Sequence, residues 1–476
     1  MTIFTLSSNR AWIEHRVVDG EFFVVNYPKS IPFMWQYDKD AHTQLTSAAF
    51  FPEYYRIKPS FVSRPLYQLS AHLIGNSLGF FLDPLLDRGF LNKKILEMAS
   101  RVKPKTQAIL VKLNIQSNND IQRSVILVKK LLYAALGFVV LKILIFILAG
   151  VLMFCIAKEY FNDSIALLSV AILLFSGYSI SSISMYHTYE LQFINPIIVI
   201  YLFMNLYKSY SIRKNIIFSF IVGLLMLGKA NYAIYLAVLT FAFIIGGINA
   251  FVIQGVLLSV IVHLIPWILW NVFMEVNGMS IIGILNEPHP GTLALHPADI
   301  IGRRLLNREL VSAVKGSGGH AMPGVDFFDK TAIFNPIYLL QLVLRHFKQF
   351  LGTVFGSIWS VFSVAGIFFY KHRYKKEILL FLLIFLLSTW MQAFIAWPLG
   401  LKTRIVMDPI FIIYVFSSYC AYYLISQFAK EYKKVIIFII LFTHISINIV
   451  SNVTLPWVHP FDQKGKYILD EEIEGK

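Results

Sequence analysis

Leu131–Ala157 reads LLYAALGFVVLKILIFILAGVLMFCIA, a run of 27 residues made mostly of Leu, Ile, Val, Phe and Ala. About 20 apolar residues in a helix cross the ~30 Å hydrocarbon core of a bilayer, so this run reads as a membrane span. Comparable runs follow at Ser164–Ser182, Leu191–Leu206, Ile216–Leu227, Tyr232–Ile248, Phe251–Val272, Gly352–Tyr370, Ile378–Trp397, Ile405–Ile425 and Val435–Val450. Lipid offers no partner to backbone polar groups, so such runs must be helices. The expected fold class is all-α, a polytopic transmembrane helix bundle of about ten spans with exoplasmic loops carrying short amphipathic helices. Ile216–Leu227 is short and is interrupted at its end by Gly223, Gly228 and Lys229, which predicts a turn at membrane depth around a polar cavity.

Composition agrees. Of 476 residues, 57% are hydrophobic and 14% charged, and the mean hydropathy is +0.64. Soluble domains carry roughly 25% charged residues, so the chain is expected to be an integral membrane protein, multi-pass, in a bacterial inner membrane. Lys and Arg outnumber Asp and Glu by 42 to 27, but they lie in short clusters between apolar runs. That distribution suits cytoplasmic loops and anionic lipid headgroups and argues against nucleic acid as a partner. Cys155 and Cys420 both fall in apolar runs and give no disulfide framework or metal site.

Upstream of the first span the pattern changes. Met1–Ile31 holds neither a run long enough to cross nor a signal-peptide pattern. Pro65–Leu85 is interrupted by Gln68, His72, Asn76 and Asp83, and reads as an amphipathic helix lying on the membrane. Leu86–Lys130 is polar and mixed. The expected divisions are 1–130, an exoplasmic N-terminal segment with first-loop amphipathic helices; 131–274, transmembrane helices; 275–334, a long exoplasmic loop; 335–450, transmembrane helices; and 451–476, a short tail.

Three basic clusters set the orientation: Lys208 to Lys214, Lys371 to Lys376, and Lys430 to Lys434. Counting spans puts all three on one side, which the positive-inside rule makes cytoplasmic. The opposite face then holds Tyr186–Glu190, the Glu275–Phe334 loop and Pro398–Arg404. It also holds the first loop, provided Pro65–Leu85 lies on the membrane rather than crossing it. That loop contains Tyr37–Leu69, YDKDAHTQLTSAAFFPEYYRIKPSFVSRPLYQL, the densest run of ionisable and aromatic side chains in the chain. Set against the mouth of a bundle, such a stretch supplies both a general base and phosphate-binding cations. The same face collects His187, Glu190, Lys229, Lys402 and Arg404. A charge at membrane depth costs about 2.5–3.5 kcal/mol on insertion scales, so Glu190 and Lys229 need partners or water.

These residues carry a resemblance. The acidic pair Asp38-Lys39-Asp40 followed by Arg64-Pro-Leu-Tyr67 resembles the first exoplasmic loop of the GT-C glycosyltransferases, the superfamily of the protein mannosyltransferases and the lipid A aminoarabinose transferases. His187-Thr-Tyr-Glu190 is similar to the second acidic position of those enzymes, Gly223-Leu-Leu-Met-Leu-Gly-Lys229 to their glycine-rich helix ending in Lys, and Lys402-Thr-Arg404-Ile-Val-Met-Asp-Pro409 to their Arg-to-Pro segment. The similarity runs in order from Trp35 to Tyr423. Two departures stand out. Family members show adjacent acids where this chain has Asp-Lys-Asp. They also place a transmembrane helix before the first loop, so the start is expected to be truncated, misassigned or tethered in another way.

The resemblance implies transfer of a sugar from a polyprenyl-phosphate sugar donor to a hydroxyl of a lipid, glycan or protein acceptor, with inversion, on the exoplasmic face. Asp40 would be the base, with Asp38 beside it. Arg64, Lys229 and Arg404 would meet the donor phosphate, Lys402 would bind substrate near them, and Glu190 or His187 would orient the sugar or the base. No cofactor is demanded; a divalent cation held by carboxylates is compatible with the sequence, although no histidine spacing points to a metal site. Two rival classes share some of these features. A polymerase or ligase of lipid-linked glycans would lean on Arg303, Arg304 and Arg308 of the long loop. A multispan transporter or flippase would place its charges at mid-span.

Overall fold

The computed structural model of the chain describes residues 39–56, 65–100, 119–176, 189–228, 251–279, 358–370, 410–429 and 431–454, with isolated positions between these segments. Among the described residues all regular structure is helical. The helices are α1 (Lys39–Ala49), α2 (Leu66–Leu86), α3 (Gly89–Ala99), α4 (Asp120–Tyr160), α5 (Asp163–Leu174), α6 (Tyr189–Lys208), α7 (Ile212–Met226), α8 (Phe251–Val276), α9 (Ile358–Phe369), α10 (Ile410–Phe428) and α11 (Lys433–Thr454), with a 3-10 turn at Glu53–Arg56. Of the expected spans, Tyr232–Ile248 lies outside the described residues, as does Ile378–Trp397 apart from a few isolated positions.

Asn119 opens α4 by accepting the Ile121 N–H, and the helix then runs unbroken for 41 residues. At 1.5 Å per residue it is about 60 Å long, twice the hydrocarbon thickness. The apolar run begins at Leu131, so the expected division at 130/131 falls inside one helix. Hydropathy marks where lipid begins; the Asn cap marks where the helix begins. α4 and the Gly255–Val276 part of α8 are long and apolar enough to cross a membrane. Both turn large apolar side chains outward, among them Ile147, Val151, Ile261 and Leu269. Water would penalise such a belt, whereas hydrocarbon accepts it.

Glycines bring helices together backbone to backbone. A Cβ on Gly137 of α4 would stand 2.0 Å from the Ala71 carbonyl of α2, and one on Gly75 would stand 2.3 Å from the Tyr133 carbonyl. The same device joins α7 to α8 at Gly223, 2.2 Å from the His263 carbonyl, and α9 to α10 at Gly366, 2.3 Å from the Phe416 carbonyl. Small residues at crossings are how helices associate where no hydrophobic force drives them. Asn215 of α7 adds a polar bond by donating to Gly255 O of α8 at 3.0 Å, and Ser259 donates to its other end at 2.9 Å.

The described contacts define two ends. At one end Lys208 pairs with Glu159 and lies over the Tyr160 ring, Tyr370 donates to Tyr160 O at 3.1 Å, and Lys433 lies over Tyr422. Two of the three basic clusters thus have described members at this end, and Tyr370 immediately precedes the third. At the other end α2 begins, α6 begins, α7 finishes and α8 finishes, around Phe51, Tyr55, Leu66, Leu227, Trp270 and Met279.

α2 runs antiparallel along the first half of α4. Tyr67 and Phe138 pack as tilted rings with centroids 4.7 Å apart near its start, and Asp83 and Asp87 hold Lys129 at 3.0 and 2.7 Å near its end. Gly89, at φ 55°, turns the chain from α2 into α3. This elbow exposes Phe80 (79%), Phe81 (71%) and Phe90 (70%) beside Arg88, Lys93 and Lys94.

Candidate functional site

The start of α2 is a junction of four elements. Pro65 brings no N–H to the first turn, and the next one, Leu66 N–H, donates to Leu227 O at the end of α7 at 3.2 Å. Gly228 follows; a Cβ there would stand 2.5 Å from Leu191 Cδ1 of α6 and 3.5 Å from Leu66 Cδ2. α1 lies alongside with a constant offset of 24. Gln68 donates to Gln44, and His72 Nδ1–H donates to Ala48 O at 2.8 Å. Two bonds at the same offset fix α1 and α2 as parallel neighbours in register.

One wall of the junction is aromatic. Phe51 packs on His72, Trp270 and Phe273 with centroids 5.5, 5.8 and 6.2 Å away, and Tyr55 meets Trp270 edge-on at 6.1 Å. Burial pushes the Tyr54 and Tyr55 phenols well above their ordinary range, so neither ionises at neutral pH. His72 is held neutral: burial lowers its pKa, the bond to Ala48 O opposes that, Lys130 lowers it further and Glu53 raises it slightly. Asn76 donates to Nε2 at 2.9 Å, matching a proton on Nδ1. Lys130, whose charge acts on His72, lies 5.2 Å over the ring of Phe50, next to Phe51 in sequence.

At the far end of α2, burial works to raise the Asp83 carboxyl. Hydrogen bonds from Tyr133 and Lys129 overcome it and hold the group below the usual carboxylate range. Burial likewise works against the Lys129 ammonium, and Asp87 and Asp83 together keep it above its ordinary value. These charges bind α2 to α4 in a structural clamp.

Asp40 is the second residue of α1, one turn before Gln44; Glu190 is the second residue of α6, directly before Leu191; for both only the backbone is described. Asp38, Arg64, His187, Lys229, Lys402 and Arg404 lie outside the described residues. The structure does bring together the described neighbours of three of them: Leu66, two positions after Arg64; Leu191, next to Glu190; and Gly228, next to Lys229. It gives no such neighbour to Lys402 or Arg404. Among the described residues no group of three or more His, Cys, Asp or Glu side chains gathers at metal distance.

Sequence reasoning missed three buried polar features. Gln44 and Gln68 are fully buried, and so is Asn195 of α6, neither of whose amide atoms has a partner among the described residues. Lys142 is 2% exposed on α4, one turn beyond Phe138. It is the single charge in Leu131–Ala157, and that interruption was a readable signal. No protein-family model, no curated protein and no solved structure matches this chain.

Proposed function

We propose that the chain is an integral-membrane glycosyltransferase that moves a sugar from a polyprenyl-phosphate donor to an acceptor hydroxyl at the outer face, with inversion. The observation that carries this reading is the junction at the start of α2. Chain flanking Arg64, Glu190 and Lys229 meets there. The register of α1 on α2 brings the turn that holds position 40 toward the start of α2, since Gln44, one turn later, bonds Gln68. A carboxylate and two cations around one helix start make a site for a hydroxyl nucleophile and a phosphate leaving group.

In this reading Asp40, supported by Asp38, accepts the proton of the acceptor hydroxyl as its oxygen bonds to the anomeric carbon. The bond from that carbon to the phosphate oxygen breaks on the opposite face, and its electron pair leaves with the lipid phosphate. Arg64, Lys229 and Arg404 take up the growing charge, while Lys402, Glu190 and His187 bind and orient the substrate.

The proposed setting is a multi-pass bundle in a bacterial inner membrane. Supporting it, α7 and α8 are parallel neighbours, with Asn215 beside Gly255 at one end and Leu227 beside Trp270 at the other. Parallel neighbours need a return between them, and the apolar run Tyr232–Ile248 has the composition to be that return. α9 and α10 are parallel too, with Trp359 and Ile413 in one cluster and Phe369 stacked on Tyr423, and the apolar run Ile378–Trp397 has the composition to be their return. With α4 to α11 that makes about ten crossings.

The test is transfer by purified protein in vesicles from a panel of prenyl-phosphate hexoses and pentoses. Asp40→Asn is expected to lower turnover by about 10²–10⁴ with donor binding retained, the usual worth of a general base. Unchanged turnover in Asp40→Asn, Asp38→Asn and the double variant would remove the reading. A flippase is favoured by one observation, the buried Lys142 at mid-span; donor flipping across the bilayer without transfer selects it.

A further inference from the structure

Lys142 is the one charge in the Leu131–Ala157 run and is 2% exposed. It lies about 16 Å into the run from Leu131, near the middle of a hydrocarbon core about 30 Å thick. An ammonium at that depth calls for an anion at the same depth. Two helix registers lead to one. Lys208 of α6 pairs with Glu159 of α4 and lies 5.5 Å over the Tyr160 ring. Both helices run toward that end, α4 from Phe138 beside Tyr67 and α6 from Leu191 beside Gly228, so they are parallel. Eighteen residues before Tyr160 stands Lys142, and eighteen before Lys208 stands Glu190. That spacing is about five whole turns, so position 142 lies on the α4 face that carries Tyr160, and position 190 on the α6 face that carries Lys208. Ile145, Ala149, Met153 and Ile156 fill the α4 face between, all buried.

The second register comes from α2, antiparallel to α4. A Cβ on Gly75 would stand against Tyr133 O and one on Gly137 against Ala71 O, four residues along each helix. Five residues further lie Leu66 on α2 and Lys142 on α4. Leu66 and Leu191, the residue after Glu190, both lie against Gly228. By both routes the first turn of α6 stands at the depth of Lys142. Asp40 of α1 reaches a similar depth. Ten residues separate it from Phe50, which meets Lys130 of α4, and that spacing turns it about 80° from the face toward α4. We propose that Lys142 is the counter-ion of Glu190, a positioning residue that keeps this carboxylate ionised and fixed at the floor of the junction. The pairing stands on the helix registers; its use rests on the transferase reading, in which Glu190 binds the sugar. A carboxylate grips hydroxyls most strongly as an ion, and away from water it stays one only beside a cation.

The test uses the purified full chain in lipid vesicles, with Lys142→Met, Glu190→Gln, the two together, and the reversed pair Lys142→Glu with Glu190→Lys. Each single change strands one charge and is expected to lower the unfolding midpoint. The neutral double should recover most of that loss and the reversed pair part of it. Additive losses overturn the pairing, and so does rescue of Lys142→Met by Asp40→Asn where Glu190→Gln gives none. If a single variant fails to fold, the return of folded protein in the neutral double is the same readout, and its failure there overturns the pairing as well. Transfer separates positioning from stability. In the neutral double the KM for a prenyl-phosphate sugar is expected to rise ten- to a hundredfold although the midpoint recovers, because the carboxylate that holds the sugar is gone. A neutral double that transfers like the wild type overturns the positioning role. Coupled midpoints in a protein that transfers from no prenyl-phosphate donor keep the pair and remove the transferase; additive midpoints in an active transferase do the reverse.

Discussion

His72 and Asp83 sit on the same helix, and both have lowered pKa values for different reasons. Burial dominates for His72, whereas Tyr133 and Lys129 overcome burial for Asp83. Between its folded value and the ordinary His value of about 6.5, the unfolded chain binds a proton at His72 that the folded chain refuses, so stability falls as pH falls through that window. Asp83 behaves alike at lower pH: its contribution is present above the ordinary carboxylate range and is lost below it. We expect two separate losses in unfolding midpoint on acidification. The first should disappear in His72→Gln and the second in Asp83→Asn. A single acid transition unaffected by either substitution would show that neither group governs it. Much of this scale was legible in the sequence: His72 and Asp83 announced themselves by interrupting an apolar run. Gln68 interrupted the same run, but its burial against Gln44 did not show, because a neutral amide on a helix reads as surface until its neighbour is known.

Among the described residues, α6 shows a helix legible from lipophilicity, read as Leu191–Leu206 and found as Tyr189–Lys208, whereas the run Ser164–Ser182 holds a helix that stops at Leu174. Helices were illegible where lipophilicity and helicity part. The first turns of α4 are polar, so only the Asn119 cap marks its start. Crossings were less legible still, since a glycine gives no hydropathy signal. The contrast within α4 can be measured. Gly137→Ala must push apart two backbones and is expected to cost about 1–3 kcal/mol, as overpacking does. At Gly150 the nearest atoms, Leu174 Cδ1 and Val170 Cγ1, would lie 3.4 and 3.6 Å from an added Cβ. There the helix propensity of Ala should make the change neutral or stabilising by up to about 1 kcal/mol. Equal effects at both sites in thermal or denaturant unfolding would contradict the crossing at Gly137.

Across the whole molecule, contact rather than charge counting places Lys208 and Lys433 at one end and the start of α2 at the other. Cysteines introduced at Lys208 and Lys433 are expected to resist an impermeant thiol reagent applied to intact cells, and one at Lys93, on the elbow, to react. Labelling of all three from the same side would dismantle the bundle's polarity. The meeting of Leu66, Leu191 and Gly228 was only half legible: sequence order gave the shared face, but three-way proximity emerges only from packing.

The length of α4 carries a consequence for the bilayer itself. The apolar run of this rod, Leu131–Ala157, is about 40 Å long, so in a hydrocarbon film of about 30 Å it keeps roughly 10 Å of travel along the membrane normal. In the proposed bilayer setting the elbow of α2 and α3 would limit that travel: its exposed Phe80, Phe81 and Phe90, clamped to the rod through Lys129, would act as a flange at the headgroups. The protein thus carries its own draught mark. Thickening the membrane would submerge the flange before it could tilt the rod, so lipid thickness acts first on the helix that frames the junction.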